Sequence, residues 1–157
     1  MPDDMPKVCQ RCNWQCCNTY PGVAHPDDFP ASADLVEALV SGRWAVDEYV
    51  ELYKNTEVKK RTMFVRAAVR GHEGLILHNA TEGCCTFLTE DGCMLDGLQR
   101  PLMCRKIQPD PSKIGECTMP YKVKDMARSW ASYQDGIRSA VAQAKQQTNL
   151  RRLPACK

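Results

Sequence analysis

The residues with the clearest chemical potential are cysteines, of which this chain has ten among 157 residues. Four lie close together near the start, in the run Cys-Gln-Arg-Cys-Asn-Trp-Gln-Cys-Cys, at Cys9, Cys12, Cys16 and Cys17. Two thiolates separated by two residues can converge on one ion from a tight turn, and zinc takes four such ligands in a tetrahedron. Iron–sulfur clusters use the same thiolates. The run therefore predicts part of a metal site, with zinc and iron both open.

A second group of cysteines follows much later and is more widely spaced. Its members are Cys84, Cys85, Cys93, Cys104 and Cys117. Thiolates this far apart share an ion only if a folded loop brings them together, and Gly92 and Pro101 favour such a loop. In an extended backbone the adjacent side chains of Cys16 and Cys17 would diverge. We therefore expect the two groups to meet in space, because the first group does not easily complete a four-ligand site.

Other uses of the cysteines compete with metal binding. Disulfides need an oxidising compartment, and residues 1–7 show no basic region followed by an apolar stretch, so we predict a cytoplasmic location and rank disulfides third. A thioredoxin-like redox pair would need a strand before Cys9, and none is predicted there. A single cysteine is most often a small buried residue. We expect that role for Cys156 and leave it open for Cys84.

Two arginines are candidate partners for coordinated sulfur. A zinc ion with four thiolates carries a net formal charge of about −2. Arg100 and Arg105 flank Cys104 and could donate to coordinated sulfur atoms, which would offset that charge. A solvated surface position is the alternative for both.

Charge and hydropathy narrow the range of partners. The formal net charge is +2, with acidic and basic residues nearly balanced, so nothing indicates a nucleic-acid or membrane surface. No apolar run approaches the ~20 residues of a membrane span. We therefore predict neither nucleic acid nor membrane as a partner. The cysteines predict metal ions as ligands, and an unidentified protein is a further possible partner.

The elements that would position the cysteines are a mixture of helices and short strands. Residues 8–26 are rich in turn formers and predict an irregular segment. Apolar residues at helical spacing then predict a helix capped by Ser32 and ended by Gly42. From Trp44 onward the pattern fits a strand or a short helix, and the β-branched and aromatic residues there favour the strand.

The remaining predicted elements are a hairpin and a long helix. Thr62–Val69 and Leu75–His78 are predicted as strands, with the glycine-containing turn at 71–74 between them. Apolar residues every three or four positions predict a C-terminal helix over about 123–147. We predict one small α+β domain over residues 1–157, with short antiparallel strands and helices organised around a cysteine–metal cluster.

The cysteine motifs, taken in order, resemble those of the CxxCxxCC family of zinc- or iron-chelating proteins, also called YkgJ-family cysteine cluster proteins. Three stretches carry the resemblance: Cys9 to Cys17, Cys85-Thr-Phe-Leu88 with Gly92-Cys93, and Arg100-Pro101 with Cys104-Arg105 and Pro109. This sequence has three residues before the double cysteine where the family has two. That departure leaves the role of Cys16 open.

The resemblance implies a ligand set and a general function. The implied metal ligands are Cys9, Cys12, Cys16, Cys17, Cys85, Cys93, Cys104 and Cys117. The implied cofactor is zinc or iron, mononuclear or in an iron–sulfur cluster. No acid–base or nucleophile–histidine pair stands out, so no catalytic residue is predicted. We expect a metal-binding protein with a structural or metal-carrying role, with an iron–sulfur redox or metal-dependent enzyme as the alternative.

Overall fold

In the computed structural model of this chain, an antiparallel hairpin lies at the centre of the fold. Its strands are β1, Trp44–Leu52, and β2, Lys59–Ala67, paired so that Trp44 lies opposite Ala67. The strand predicted from Trp44 is therefore confirmed. The structure describes residues 13–57, 59–79, 82–110, 112–113 and 117–152. Cys9, Cys12 and Cys156 lie outside these ranges.

The predicted hairpin partner of β2 was wrong. Residues 75–78 form no strand of their own, and Leu77 makes only an isolated parallel bridge with Val46 of β1. After the turn at 71–74 the chain runs beside β1. The Val46 amide donates to the Ile76 carbonyl at 2.7 Å, and the His78 backbone amide donates to the Val46 carbonyl at 2.9 Å. The turn was predicted correctly from local residues. Which strand the following segment lies beside depends on contacts between residues far apart in sequence, so the local pattern did not predict it.

Helices and short ladders complete the α+β fold, which confirms the predicted class. The helices are α1 (Gln15–Thr19), α2 (Ser32–Ser41), α3 (Leu102–Arg105), α4 (Val123–Ser129) and α5 (Gln134–Arg152). Short 3-10 turns lie at Pro26–Asp28, Gly97–Gln99 and Ala131–Tyr133. Two-residue ladders pair β3 (Leu88–Thr89) with β4 (Gly92–Cys93) and β5 (Gln108–Pro109) with β6 (Cys117–Thr118). Among the described residues, no helix is long and apolar enough to cross a bilayer.

The predicted C-terminal helix is interrupted. The longest helix is C-terminal as expected, but α4 and α5 are separated by a 3-10 turn, and α5 continues to Arg152. Trp130 lies at the break, is 2% exposed, and donates its indole N–H to the Ala24 carbonyl at 2.8 Å. This buried indole anchors the junction between the two helices. The apolar spacing runs through the junction, which is why the sequence pattern did not reveal it.

Helix α2 lies where it was predicted and closes the core, but the predicted cap was wrong, because Ser32 is already helical and Ala31 is the N-cap residue. Its first residue is Ser32, and the Asp34 carboxylate caps the start by accepting the Ala31 amide at 2.9 Å. Gly42 ends it with φ of 79°, a conformation that glycine adopts without strain. The helix packs with α5 and the hairpin around buried apolar residues, among them Val23, Leu39, Phe64, Met126, Ile137 and Ala144.

Candidate metal centre

Six of the eight predicted ligand cysteines line one cavity of about 80 Å³. They are Cys16, Cys17, Cys85, Cys93, Cys104 and Cys117. We call this space the cysteine cavity. The expected meeting of the two cysteine groups is thus confirmed for these six residues. Cys9 and Cys12 lie outside the described residues.

Helix α1 brings the first group to the cavity. It begins after Trp14, whose φ of 48° is left-handed, and it carries Cys16 and Cys17 on a short helix rather than the extended backbone considered from the sequence. The Cys17 carbonyl accepts the Cys85 amide at 2.7 Å, which joins the two cysteine groups directly through their backbones. No residue of α1 is buried, so side-chain packing alone holds this helix weakly.

The second group reaches the cavity from separate elements. Cys93 lies on β4 opposite Leu88, and Cys117 lies on β6 opposite Pro109. Cys104 lies on α3, which is tied to the turn at Pro26–Asp28 because an Asp28 carboxylate oxygen accepts the Leu102 amide at 2.9 Å. The cavity is therefore assembled by tertiary structure rather than by one local motif.

Gly22 lies against one of the cavity thiols. A Cβ at this position would lie 2.0 Å from the Cys104 Sγ and 3.6 Å from Pro101 Cγ. The thiol therefore occupies the space that any side chain at position 22 would need. The sequence placed Gly22 within the turn-rich segment 8–26 and did not reveal this contact, because it joins distant parts of the chain.

We expect Gly22→Ala to displace the Cys104 thiol and to lower the metal content of the purified protein severalfold. A Cβ–Sγ distance of 2.0 Å is well inside van der Waals contact, so the thiol or the backbone must move. The measurement is metal per chain after anaerobic purification. Gly136→Ala is the matched control, because a Cβ at that position of α5 meets no atom within 4 Å. Equal metal content in both variants would contradict this role of Gly22.

The two candidate arginines have different positions. Arg100 lines the cysteine cavity, is 9% exposed, and donates from Nε to the Leu95 carbonyl at 3.1 Å. Its Nη2 is buried and has no hydrogen-bond partner among the described residues. Arg105 instead forms an ion pair with Asp28 and does not line the cavity. The position of Arg100 alone fits a partner for coordinated sulfur.

The indole of Trp14 provides a second buried donor at the cavity. Trp14 lines the cavity, and its Nε1 is buried without a hydrogen-bond partner among the described residues. Buried polar groups normally have partners, and leaving one unmade costs about 1–3 kcal/mol. Two buried donors without an acceptor among the described residues thus lie beside one cavity.

Cys84 does not share the position of its neighbour. It is half-buried and absent from the cavity lining, and its thiol contacts the Cys85 carbonyl at 3.6 Å. Cys85 itself is buried and lines the cavity. The sequence left Cys84 open, and the structure places it outside the candidate site.

The cavity changes the acidity of its thiols in opposite directions. A hydrogen bond with the Cys17 thiol lowers the pKa of Cys16 to about 6, and the same bond together with burial raises the pKa of Cys17. Burial raises the pKa of Cys85 to about 11. Burial is also the main cause of a raised pKa at Cys104, which the positive charge of Arg100 partly opposes. At neutral pH a metal must therefore displace protons from several of these thiols.

The donor chemistry of the cavity fits a thiophilic metal, although the thiols are not arranged as a closed ligand set. Among the described residues, no three cysteine, histidine, aspartate or glutamate side chains form a group that could hold one metal ion. Soft thiolates favour zinc and iron–sulfur clusters. The buried N–H groups of Arg100 and Trp14 suit a sulfur-rich anionic centre.

Comparisons with protein-family models, with curated proteins and with solved structures found no significant match for this chain. The resemblance to the CxxCxxCC family therefore stays a prediction from the motifs.

Proposed function

We propose that this protein binds zinc or iron through clustered cysteine thiolates, in a structural or metal-carrying role. The observation that supports the proposal is the gathering of six cysteines, from elements far apart in sequence, around one cavity. Isolated buried cysteines have no reason to converge in this way, whereas a shared ion or cluster requires it. The proposed ligand set also includes Cys9 and Cys12, on the Cys-x-x-Cys spacing of the sequence alone.

Metal binding at this cavity would require the thiol side chains to close on the metal. Thiolates bind zinc at about 2.3 Å, and the described side chains do not yet form such a group. Rotation about χ1 moves a thiol without moving the backbone, and Cys16 is exposed, which leaves room for its side chain to change rotamer. We further propose a cytoplasmic location, where a reducing environment keeps thiols available, and an unidentified protein that receives or supplies the metal.

The proposal is tested by anaerobic purification without added metal, followed by quantification of zinc, iron and sulfide and by a visible absorption spectrum. We expect zinc or iron in at least stoichiometric amount. Only trace metal, together with free thiols or intact disulfides, would reject the proposal.

Chelation should loosen the metal-dependent segments before it affects the core. We expect hydrogen exchange to increase across α1 and the loop from Cys93 to Cys104, because ordering each residue costs about 1–2 kcal/mol and α1 has no buried residue to offset it. Val23 and Ala24 are fully buried, and the Ala24 amide donates to the Val65 carbonyl at 2.9 Å. Exchange there, and in α5, should stay slow. Unchanged protection of α1 after complete metal removal would contradict this coupling.

The alternative function is an iron–sulfur or metal-dependent enzyme, for which an open cleft beside the cysteine cavity would provide access for a small molecule. The cleft has a volume of about 650 Å³ and shares Trp14 and Leu88 with the cavity. A structural metal site is closed, whereas a catalytic one keeps a position open to small molecules. A change in the visible spectrum of the iron-loaded protein on addition of cyanide would therefore favour the enzyme. An unchanged spectrum would favour the structural or carrier role.

A further inference from the structure

The outer edge of β1 carries a row of main-chain groups that point away from β2. In an antiparallel ladder, pairs that exchange hydrogen bonds alternate with pairs whose main-chain groups point outward. Val46 is of the second kind, because its amide and carbonyl bind Ile76 and His78 on the outer side. By the same alternation, the N–H and C=O groups of Val50 and Leu52 also point outward.

Contacts on the other side of the hairpin agree with this alternation. The amide and carbonyl of Met63, on β2, both bind the Gln134 side chain, at 2.9 and 2.8 Å. The edge of β2 is therefore covered at that point. On β1, by contrast, the described part of the chain offers no main-chain partner to the outward groups of Val50 and Leu52.

The side chains along this open edge are apolar and exposed. Val50 is 43% exposed and Leu52 is 67% exposed, and both lie on the same face of the strand. Tyr53, the next residue, is 51% exposed. A strand edge with unpaired main-chain groups and apolar side chains is a template for pairing with a further strand.

We propose that β1 pairs antiparallel with β1 of a second copy of this chain, so that two hairpins form one four-stranded sheet. The two-fold axis lies at Val50, which faces the same residue of the other copy, and Leu52 faces Glu48. None of these three residues lines the cysteine cavity. The pairing therefore does not depend on bound metal.

Charge favours an axis at Val50 over one at the next residue. With the axis at Glu51, two glutamates would lie directly opposite each other, and like charges in that position are destabilising. With the axis at Val50, Glu48 faces an uncharged leucine instead. Glu48 also keeps its ion pair with Arg61, 2.9 Å away in the same hairpin, so its charge stays compensated when the edge is covered.

Space excludes the other registers. An axis at Tyr49 would bring Leu52 of the second copy opposite Val46, where residues 76–78 already bind. An axis at Leu52 would leave most of the strand unpaired, because β1 ends there. The axis at Val50 avoids both problems.

The pairing supplies about four main-chain hydrogen bonds. Two join the Val50 residues to each other, and each Leu52 amide donates to the Glu48 carbonyl of the other copy. The Glu48 amide is less available, because it donates to the Asp47 carboxylate at 2.7 Å. So few bonds and apolar side chains make a small interface, and we therefore expect a weak, reversible dimer.

Sedimentation velocity of the full chain, from about 1 μM to about 1 mM, covers the range of such affinities. We expect the parent to form a concentration-dependent dimer. Val50→Lys places like charges opposite each other and should raise the dissociation constant at least about tenfold. Val50→Pro should do the same, because it removes an outward N–H and no bond within the hairpin. Urea unfolding of both variants checks that the fold is kept.

Symmetric cross-linking tests the register. Residues of a hydrogen-bonded antiparallel pair have Cα atoms about 5.5 Å apart, which suits a disulfide. Val50→Cys should therefore link two copies through the new thiol under mild oxidation. Mass spectrometry of the joined peptides distinguishes this link from links through native cysteines. Leu52→Cys is the matched control, because position 52 is more exposed but lies about 14 Å along the strand from its counterpart.

A chain that stays monomeric up to about 1 mM would overturn the proposal and would leave this edge to a strand of another protein. A dimer that both Val50→Lys and Val50→Pro leave intact would show that the two copies meet elsewhere. Cross-linking of Leu52→Cys as readily as Val50→Cys would reject the axis at Val50.

Discussion

Cys104→Ser is expected to abolish stable metal binding. Cys104 lies on α3 against Gly22 and lines the cysteine cavity together with five other described cysteines. A serine hydroxyl is a much poorer ligand for zinc or iron than a thiolate. The loss of affinity should exceed the roughly 10- to 100-fold typical of removing an outer-shell partner. Metal per chain after dialysis against a weak chelator is the measurement.

Cys84→Ser is the control for Cys104→Ser. It makes the same chemical change, next to the cavity-lining Cys85, but at a thiol that does not line the cavity. We expect parental metal content. If Cys84→Ser loses metal as fully as Cys104→Ser, or if both retain it, the cysteine cavity is not the metal site.

The parts of the fold that follow from local patterns were predictable from the sequence. Helix α2 has its apolar residues at helical spacing and a glycine at its end, and β1 shows the residue types of a strand. The short helix α1 escaped prediction, because five residues are too few for a periodic pattern. The break at Trp130 also escaped, since the apolar spacing continues through it and the indole there is held by Ala24, far away in the chain.

Some features of the candidate site were likewise predictable from the sequence, and others were not. The convergence of the cysteines was predictable, because a metal needs more ligands than one cluster easily provides. The difference between Arg100 and Arg105 was not, since both flank the same cysteine and only tertiary structure pairs one of them with Asp28. Gly22 and Trp14 likewise gain their roles from contacts that the sequence does not reveal.

Asp47→Ala is expected to destabilise the protein by about 3–5 kcal/mol, because it leaves a buried guanidinium without this carboxylate. The side chains of Asp47 and Arg66 are 1% and 0% exposed, and Arg66 Nε donates to Asp47 Oδ2 at 2.8 Å. The Tyr20 hydroxyl donates to the same oxygen at 3.4 Å, and burial raises the pKa of Tyr20 to about 12, which keeps this donor protonated. The free energy of unfolding in urea, with chelator present throughout, measures the effect without a contribution from bound metal.

The adjacent residue supplies the control. Glu48 pairs with Arg61 at 2.9 Å on the exposed side of the hairpin, so Glu48→Ala should cost less than about 1 kcal/mol. The double variant Asp47→Leu with Arg66→Met should recover most of the lost stability, because apolar residues of similar volume can replace a buried ion pair. A loss in Asp47→Ala no larger than in Glu48→Ala would show that the buried pair does not stabilise the hairpin.

The hairpin also supports the site, because the Ala67 amide of β2 donates to the Gly22 carbonyl at 3.2 Å. We therefore expect the double variant to keep its metal, since it preserves this backbone contact while removing both charges.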